Sequence, residues 1–331
     1  MSQKTTVSFH LSSDNSGVGS NSQYTLQLQP ELSIPHTAKP TVYLHNLLFD
    51  NNIANVNGLL YDNDKIIVSF GGVTQTIIVP AGAYSLEALE MYIALKIYDA
   101  GIGATSLWGL LDKAVTNGTN PSGTTIPSAN RPKGLANPYS VSKSDEFSRD
   151  PGEWQQTLNV AQISSLETLL PIGYTGNQFW VKPITLEGDI ASNRVEAVTA
   201  VQMTVDVGST LWTKLLGFTD AQATHTSSYT PLIADNPARI DGSRGVCFHC
   251  PSLASGTYST GGKMGGSQLA LVPITAGLGE VQSWEASVPV KVPCRAAGSK
   301  VGSINFYLAN EDGLPIDLLG DRFEAVVVVE F

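Results

Sequence analysis

The run EAVVVVEF at Glu324–Phe331, with Phe323 before it, limits the possible folds more than any other stretch of this chain. Positions 323, 325–329 and 331 are apolar, and only Glu324 and Glu330 interrupt them. Four consecutive valines favour an extended backbone and place apolar side chains on both faces of the pleat. A strand of this kind at a solvated sheet margin would expose a flat, greasy edge. It belongs in the interior of a sheet, with something covering each face.

The rest of the chain is strand-like almost throughout. TVSFHLSS alternates Val7, Phe9 and Leu11 with polar residues, and SQYTLQLQP does the same with Tyr24, Leu26 and Leu28. DKIIVSFGGVTQTIIVPAG reads as a hairpin with Gly71-Gly72 at its tip. Further strands are expected at TVYLHNLLFDN, QFWVKPITLEG, VEAVTAVQMTVDV, GVCFHCP, QLALVPI, VQSWEASVPVKVPC and GSINFYLAN. Helical spacing of Leu86, Leu89, Ile93 and Ile97 after Ser85, an N-cap residue, predicts a helix that stops at Gly101. GSTLWTKLLGF predicts a short helix entered at Ser209 and broken at Gly217, with Leu211, Trp212, Leu215 and Leu216 inward. Residues 104–155, rich in Pro, Gly, Asn, Ser and Thr, read as a long excursion. Many short strands separated by turn signals, with few helices, indicate an all-β sandwich or jelly roll.

Charge excludes several classes of function. The net charge is −10, from 19 basic and 29 acidic residues, and the basic ones form no cluster in sequence. Wrapping nucleic acid needs a concentrated basic face, so direct nucleic-acid binding is not expected. No apolar stretch approaches the roughly 20 residues of a membrane span. No secretory signal is visible in MSQKTTVSFHLSS, so synthesis in the cytoplasm or nucleus is expected. Charged residues make up only 15%, against roughly 25% in an ordinary globular chain. A neutral coat of Ser, Thr, Asn, Gln and Gly suits a protein that stands edge to edge with its own copies, and equally a lectin-like domain.

Motifs that carry chemistry are scarce. Cys247, His249 and Cys250 in CFHC resemble half a zinc site. No second ligand pair accompanies them, and on a strand Cys250 points away from the other two. Three reduced thiols in or near a core is the favoured reading, with metal as the alternative. FGGVTQT and TGGKMGG do not join a strand to a helix, so they read as turns rather than phosphate cradles. Asp312, Asp317 and Asp321 read as turn residues whose carboxylates bond backbone N–H groups, in preference to a calcium site or a glycosidase pair. No catalytic residue, cofactor or metal is assigned, and the chain is read as a non-enzyme. A carbohydrate- or receptor-binding module is the rival class, with an aromatic site expected near Trp108, Trp154 or Trp180.

Several stretches resemble penton-type minor capsid proteins of polinton-like viruses, adintoviruses and virophages. They are VSFHLSSDNSGVGSNSQYTLQLQPELSI, TVYLHNLLFDNNIANV, IVPAGAYSLEALEMYI, STLWTKLLGF, GVCFHCPSLASGTYSTGGKMGGSQLALVPI and INFYLANEDGLPIDLLGDRFEAVVVVEF. The resemblance implies a single jelly roll built from 1–103 and 236–331, with 104–235 inserted as a mainly β, protruding unit, and one or two short helices. It implies a homopentamer at the vertex of an icosahedral double-stranded DNA virus. That vertex would contact the major capsid protein, and a spike or fibre is a further partner class. The expected location is the virion capsid; a glycan-binding spike, a major capsid trimer and a cement protein are the alternatives. Under this reading the second face of the tail strand is covered by a neighbouring subunit. Phe9, Leu26, Trp212, Phe218, Phe306 and Phe323 are expected as packing anchors, and Gly82, Gly217 and Gly313 as turn-setting glycines.

Overall fold

The computed structural model describes residues 5–13, 23–35, 39–103, 106–107, 110, 167, 170–175, 178–189, 194–222, 228–240, 243–254 and 267–331. The strands in chain order begin with β1 (Thr6–Ser12), β2 (Gln23–Ser33), β3 (Thr41–Asp50), β4 (Lys65–Phe70) and β5 (Val73–Ile78). After helix α1 (Leu86–Asp99) come β6 (Ile172–Thr175), β7 (Gln178–Val181), β8 (Ile184–Asp189), β9 (Arg194–Thr199), β10 (Thr204–Val205) and β11 (Leu232–Ile233). The last six are β12 (Gly245–His249), β13 (Gln268–Pro273), β14 (Val281–Glu285), β15 (Val292–Pro293), β16 (Lys300–Ala309) and β17 (Phe323–Glu330).

Two compact units share the chain. The first comprises Met1–Leu60, Ala81–Ala83 and Asp241–Phe331, and the second Tyr61–Pro80 and Tyr84–Ile240. The boundary suggested by sequence patterning, at 103/104, falls inside the second unit. Its hairpin β4–β5 pairs through β4 with β10, and α1 packs on β8, so residues 61–80 and 84–103 group with later parts of the chain. The return to the first unit comes at Asp241 rather than 236.

In the first unit, eight strands form two antiparallel sheets in the orders β1-β17-β3-β14 and β13-β12-β16-β2, with β15 as an extra short partner of β3. Counting those eight along the chain, the orders are first-eighth-third-sixth and fifth-fourth-seventh-second. This is the arrangement of a jelly roll. The tail strand β17 lies between β1 and β3, with Val327 opposite Phe9 on one side and Leu44 on the other. Its Phe323, Ala325, Val327 and Val329 enter one core with Phe9, Leu11, Leu44, Phe49, Val246, Phe248, Leu269, Ile304 and Phe306. Phe306 and Phe323 meet edge to face at 5.8 Å between centroids, and Tyr24 meets Phe323 at 5.1 Å. Aromatic pairs in this geometry add to the area they bury.

The register of β3 against β17 shifts between Val326 and Val327, which oppose Asn46 and Leu44. The extra residue, His45, is a bulge that returns Leu47 and Phe49 to the side of Val42 and Leu44. All four are buried. The stretch read as one strand, VQSWEASVPVKVPC, is two: β14 ends at Glu285 and β15 holds only Val292–Pro293. Pro289 between them has no N–H to give a ladder.

The second unit holds the hairpin β4–β5, whose Gly71 and Gly72 have φ of +58° and +84°. Two positive values in succession are what a two-residue turn matching strand twist requires. Helix α1 starts as expected, with Ser85 Oγ accepting from Ala88 N at 3.1 Å. It ends in a Schellman arrangement: Gly101 N donates to Tyr98 O at 2.9 Å and Ile102 N to Ile97 O at 3.3 Å. Glu90, buried in the middle of α1, accepts from Lys182 Nζ at 2.6 Å and from Leu186 N at 2.8 Å. Those bonds fix the helix to the link before β8 and to β8 itself.

The short helix at Leu211–Leu215 is π-helical and enters at Thr210, one residue later than expected. Leu216 N donates to Leu211 O at 3.2 Å, five residues back. Ser209 is engaged elsewhere, accepting from Ile67 N at 2.9 Å and donating to Asp206 O at 2.7 Å. Leu211, Trp212, Leu215 and Leu216 are all buried, as the spacing indicated.

Candidate functional site

A chain read as a building block has its working parts on its faces and margins, beginning with the tail strand. The second face of β17 carries Glu324, Val326, Val328 and Glu330. Val328 is buried and Val326 half-buried. Tyr43 stands opposite Val328 in register. Its hydroxyl donates to Glu330 Oε1 at 3.4 Å, and Lys291 Nζ lies 5.4 Å from its ring centroid and 2.6 Å from Glu330 Oε2. Tyr43, Lys291 and Glu330 are thus one cluster of the same unit beside Val328. Part of the face expected to lie against a neighbouring subunit is therefore covered from within the unit, and Val326 is left half-buried beside it.

One margin of that sheet carries exposed apolar side chains. Strand β14 is the terminal strand of the order, and Val281 and Leu48 project diagonally across β14 and β3 on the outer face. They are 61% and 40% exposed. Leu278 just before β14, and Val288 and Val290 just after it, are also exposed. Sequence patterning missed this margin, because Leu48 lies in an apolar run and nothing local says which of its members turn outward.

The expected packing anchors separate into two groups. Phe9, Phe306 and Phe323 are buried in the jelly-roll core, and Leu26 is only half-buried at its edge. Trp212 and Phe218 are buried in the second unit, their rings stacked at 3.9 Å, with Trp212 Nε1 donating to Gln222 O at 3.2 Å. Gly217 and Gly313 have φ of +86° and +81° and do set turns. Gly82 does not: it forms an isolated bridge, donating from N to Val56 O at 3.0 Å and accepting from Val56 N at 3.1 Å.

Trp180, proposed as part of an exposed aromatic site, is buried, with its ring 5.3 Å from that of Tyr98. Its bulk serves packing. Trp108, Trp154, most of residues 104–155 and the glycine-rich TGGKMGG lie outside the described residues.

On β12, Val246 and Phe248, with Cys250 just beyond the strand, join the core, while Cys247 and His249 take the opposite face. All three cysteines are free and buried. Burial pushes the Cys250 thiol up to about 12 and raises those of Cys247 and Cys294, so none is a ready thiolate. Among the described residues no group of three or more His, Cys, Asp or Glu is placed to hold a metal ion. Nor is any helix there long and apolar enough to cross a membrane.

His249 stacks on Tyr307 at 4.6 Å, and its Nδ1 is 3.1 Å from Ser267 Oγ. Its Nε2 is buried with no partner among the described residues. Burial lowers its pKa to about 4. Between the unfolded value near 6.5 and about 4, the unfolded chain takes up a proton that the folded chain refuses. Stability therefore falls as pH drops through that window, by up to about 3 kcal/mol, and the loss from this group ends below it. In H249Q the midpoint of thermal unfolding is expected to depend less on pH between 6.5 and 4 than in the wild type. Parallel curves for the two proteins would contradict this.

The carboxylates near the last turn are tied to backbone and amide groups. Asp317 Oδ1 accepts from Leu319 N at 2.8 Å and its Oδ2 from Asn57 Nδ2 at 3.1 Å. Asp321 accepts from Asn52 Nδ2. Asp312 is exposed on the turn itself. Asp317 thus shows the turn chemistry that the sequence suggested, whereas Asp321, and Asp317 through its second oxygen, hold amides far away in the sequence.

No family model matches this sequence, and no curated protein matches it. Among solved structures, the crystal structure of SeMet-labeled mavirus penton protein is similar at a TM-score of 0.36 and 8% identity, over 99% of both chains. A likeness of that degree establishes neither a family nor a function.

Proposed function

We propose that this chain is a structural capsid protein that self-associates into a pentamer closing an icosahedral vertex. In this reading it contacts the major capsid protein and directs its second unit outward. The observation that carries the reading is where the described parts of the penton-like stretches fall, which is on the framework. VSFHLSS supplies Phe9 and Leu11 to the core through β1. YSLEALEMYI supplies the N-cap and first turns of α1. STLWTKLLGF supplies the π-helical turn and the constrained Gly217. INFYLANEDGLPIDLLGDRFEAVVVVEF supplies β16, the Gly313 turn and β17.

Two features support assembly as the use of this framework. The apolar margin at β14 is surface of the kind that protein interfaces cover. Low charge keeps repulsion small between copies around a symmetry axis, and closed rings are the ordinary outcome of a repeated head-to-tail contact. The reading assigns no catalytic step.

Sedimentation velocity of the purified protein and of the V281D/V290D variant tests it. The wild type is expected to sediment as one species larger than the 35.1 kDa chain. The variant is expected to sediment as a monomer with an unchanged thermal midpoint, because both side chains are exposed in the single chain. A wild-type monomer at all concentrations, or a variant as large as the wild type, would count against this interface.

A further inference from the structure

A polar groove on the jelly-roll unit has a composition opposite to that of the chain. It has a volume of about 470 Å³ and lies between the turn after β12 and the first half of β16. Arg295 and Lys300 line it, with Ser252, Ser299, Ser303 and Asn305, and no carboxylate is among its described lining residues. In a chain of net charge −10 this places two cations on one groove. Neither cation has an ion-pair partner among the described residues. The hydroxyls of Ser299 and Ser303 and the Asn305 Nδ2 are likewise without partners there. One acid, Glu31 of β2, borders the groove, its Oε1 3.3 Å from where a Cβ on the lining residue Gly302 would sit.

The groove also exposes backbone. Strand β12 pairs only with Tyr307, Leu308 and Ala309 of β16, so among the described residues the stretch from Lys300 to Phe306 has no strand on that side. There Asn305 N donates to Ser252 Oγ at 2.8 Å, a side-chain substitute for a ladder bond. An open strand edge recognises an extended main chain, and its flanking side chains choose the residues.

We propose that this groove binds an extended acidic peptide segment of a partner protein, added as a short strand along β16 with its carboxylates on Arg295 and Lys300. The seven residues of β16 from Lys300 to Phe306, about 23 Å of strand, set the length of segment it accommodates. Arg295 offers a two-pronged guanidinium and Lys300 a point charge, so alternate acidic side chains fit better than one bulky anion. The inference does not depend on the oligomeric state of the protein.

Fluorescence anisotropy with the full chain tests it, using a labelled peptide of alternating Glu and Val, its Gln/Val counterpart, and the Glu/Val peptide N-methylated at alternate residues. The Glu/Val peptide is expected to bind at least tenfold more tightly than either control. Binding is expected to fall at least tenfold in R295E/K300E and to be retained in R295K/K300R, with both variants keeping the wild-type thermal midpoint. Equal binding of the Gln/Val peptide would overturn the role of charge, and equal binding of the N-methylated peptide would overturn strand addition. Competition by a ten-residue oligothymidylate as strong as that of unlabelled Glu/Val peptide would overturn peptide recognition in favour of an unspecific polyanion site.

Discussion

Replacing Val327 with Asp is expected to abolish folding of the jelly-roll unit, whereas the same change one residue earlier, at Val326, is expected to be survivable. Val327 is fully buried and sits between Phe9 and Leu44 in adjacent strands. An ionised carboxylate there has no partner, and such burial costs more than about 4 kcal/mol. That is most of the stability a domain ordinarily has, roughly 5–15 kcal/mol. Val326 faces the other way and is half-buried, so its carboxylate keeps contact with water and the expected cost is about 1 kcal/mol. Urea unfolding followed by circular dichroism distinguishes them. Equal losses in V326D and V327D would mean that β17 does not alternate between core and outer face as described.

Gly217 is the second position where a small change has a large expected effect. Its φ is +86°, and a Cβ there would stand 2.2 Å from the backbone oxygen of Asn236 and 2.9 Å from its carbonyl carbon. Backbone strain and a clash with an atom that cannot swing away then act together. The neighbouring stack of Trp212 on Phe218 leaves little room for the turn to shift. A loss of about 3–5 kcal/mol is expected for G217A. Gly101 in the same unit provides the comparison, since its φ is +70° but nothing lies within 4 Å of its would-be Cβ. G101A carries the strain alone, about 1 kcal/mol. Thermal unfolding midpoints should fall in that order, and a mild G217A would contradict the close approach to Asn236.

How much of this was legible in the sequence depends on the range over which each feature is determined. The hairpin at Gly71-Gly72, the Ser85 cap and Gly101 stop of α1, and the interior position of β17 all rest on local residue chemistry. The boundary between units does not, because β4 finds its partner in β10, more than a hundred residues on. The π-helical turn looks like an ordinary helix in the sequence because a bond from Leu216 to Leu211 leaves the same apolar spacing. TVYLHNLLFD hides its bulge, since His45 and Asn46 simply look like an interrupted alternation. Trp180 shows the converse limit, for a large aromatic residue reads alike as a binding platform or as core.

The surfaces were the least legible. Tyr43 and Glu330 are 287 residues apart in sequence, and the groove joins Ser252 to residues 295–305. Each member alone looks like an ordinary surface residue, and only the topology brings them together. The same holds for the apolar margin, where Leu48 and Val281 meet through strand pairing.

The central claim, that this jelly roll exists to build a vertex, is tested most directly by native mass spectrometry of the purified full chain. The account predicts a complex of five copies of the 35.1 kDa chain, persisting across a range of ionic strength. A trimer, or a monomer at every concentration, would contradict it.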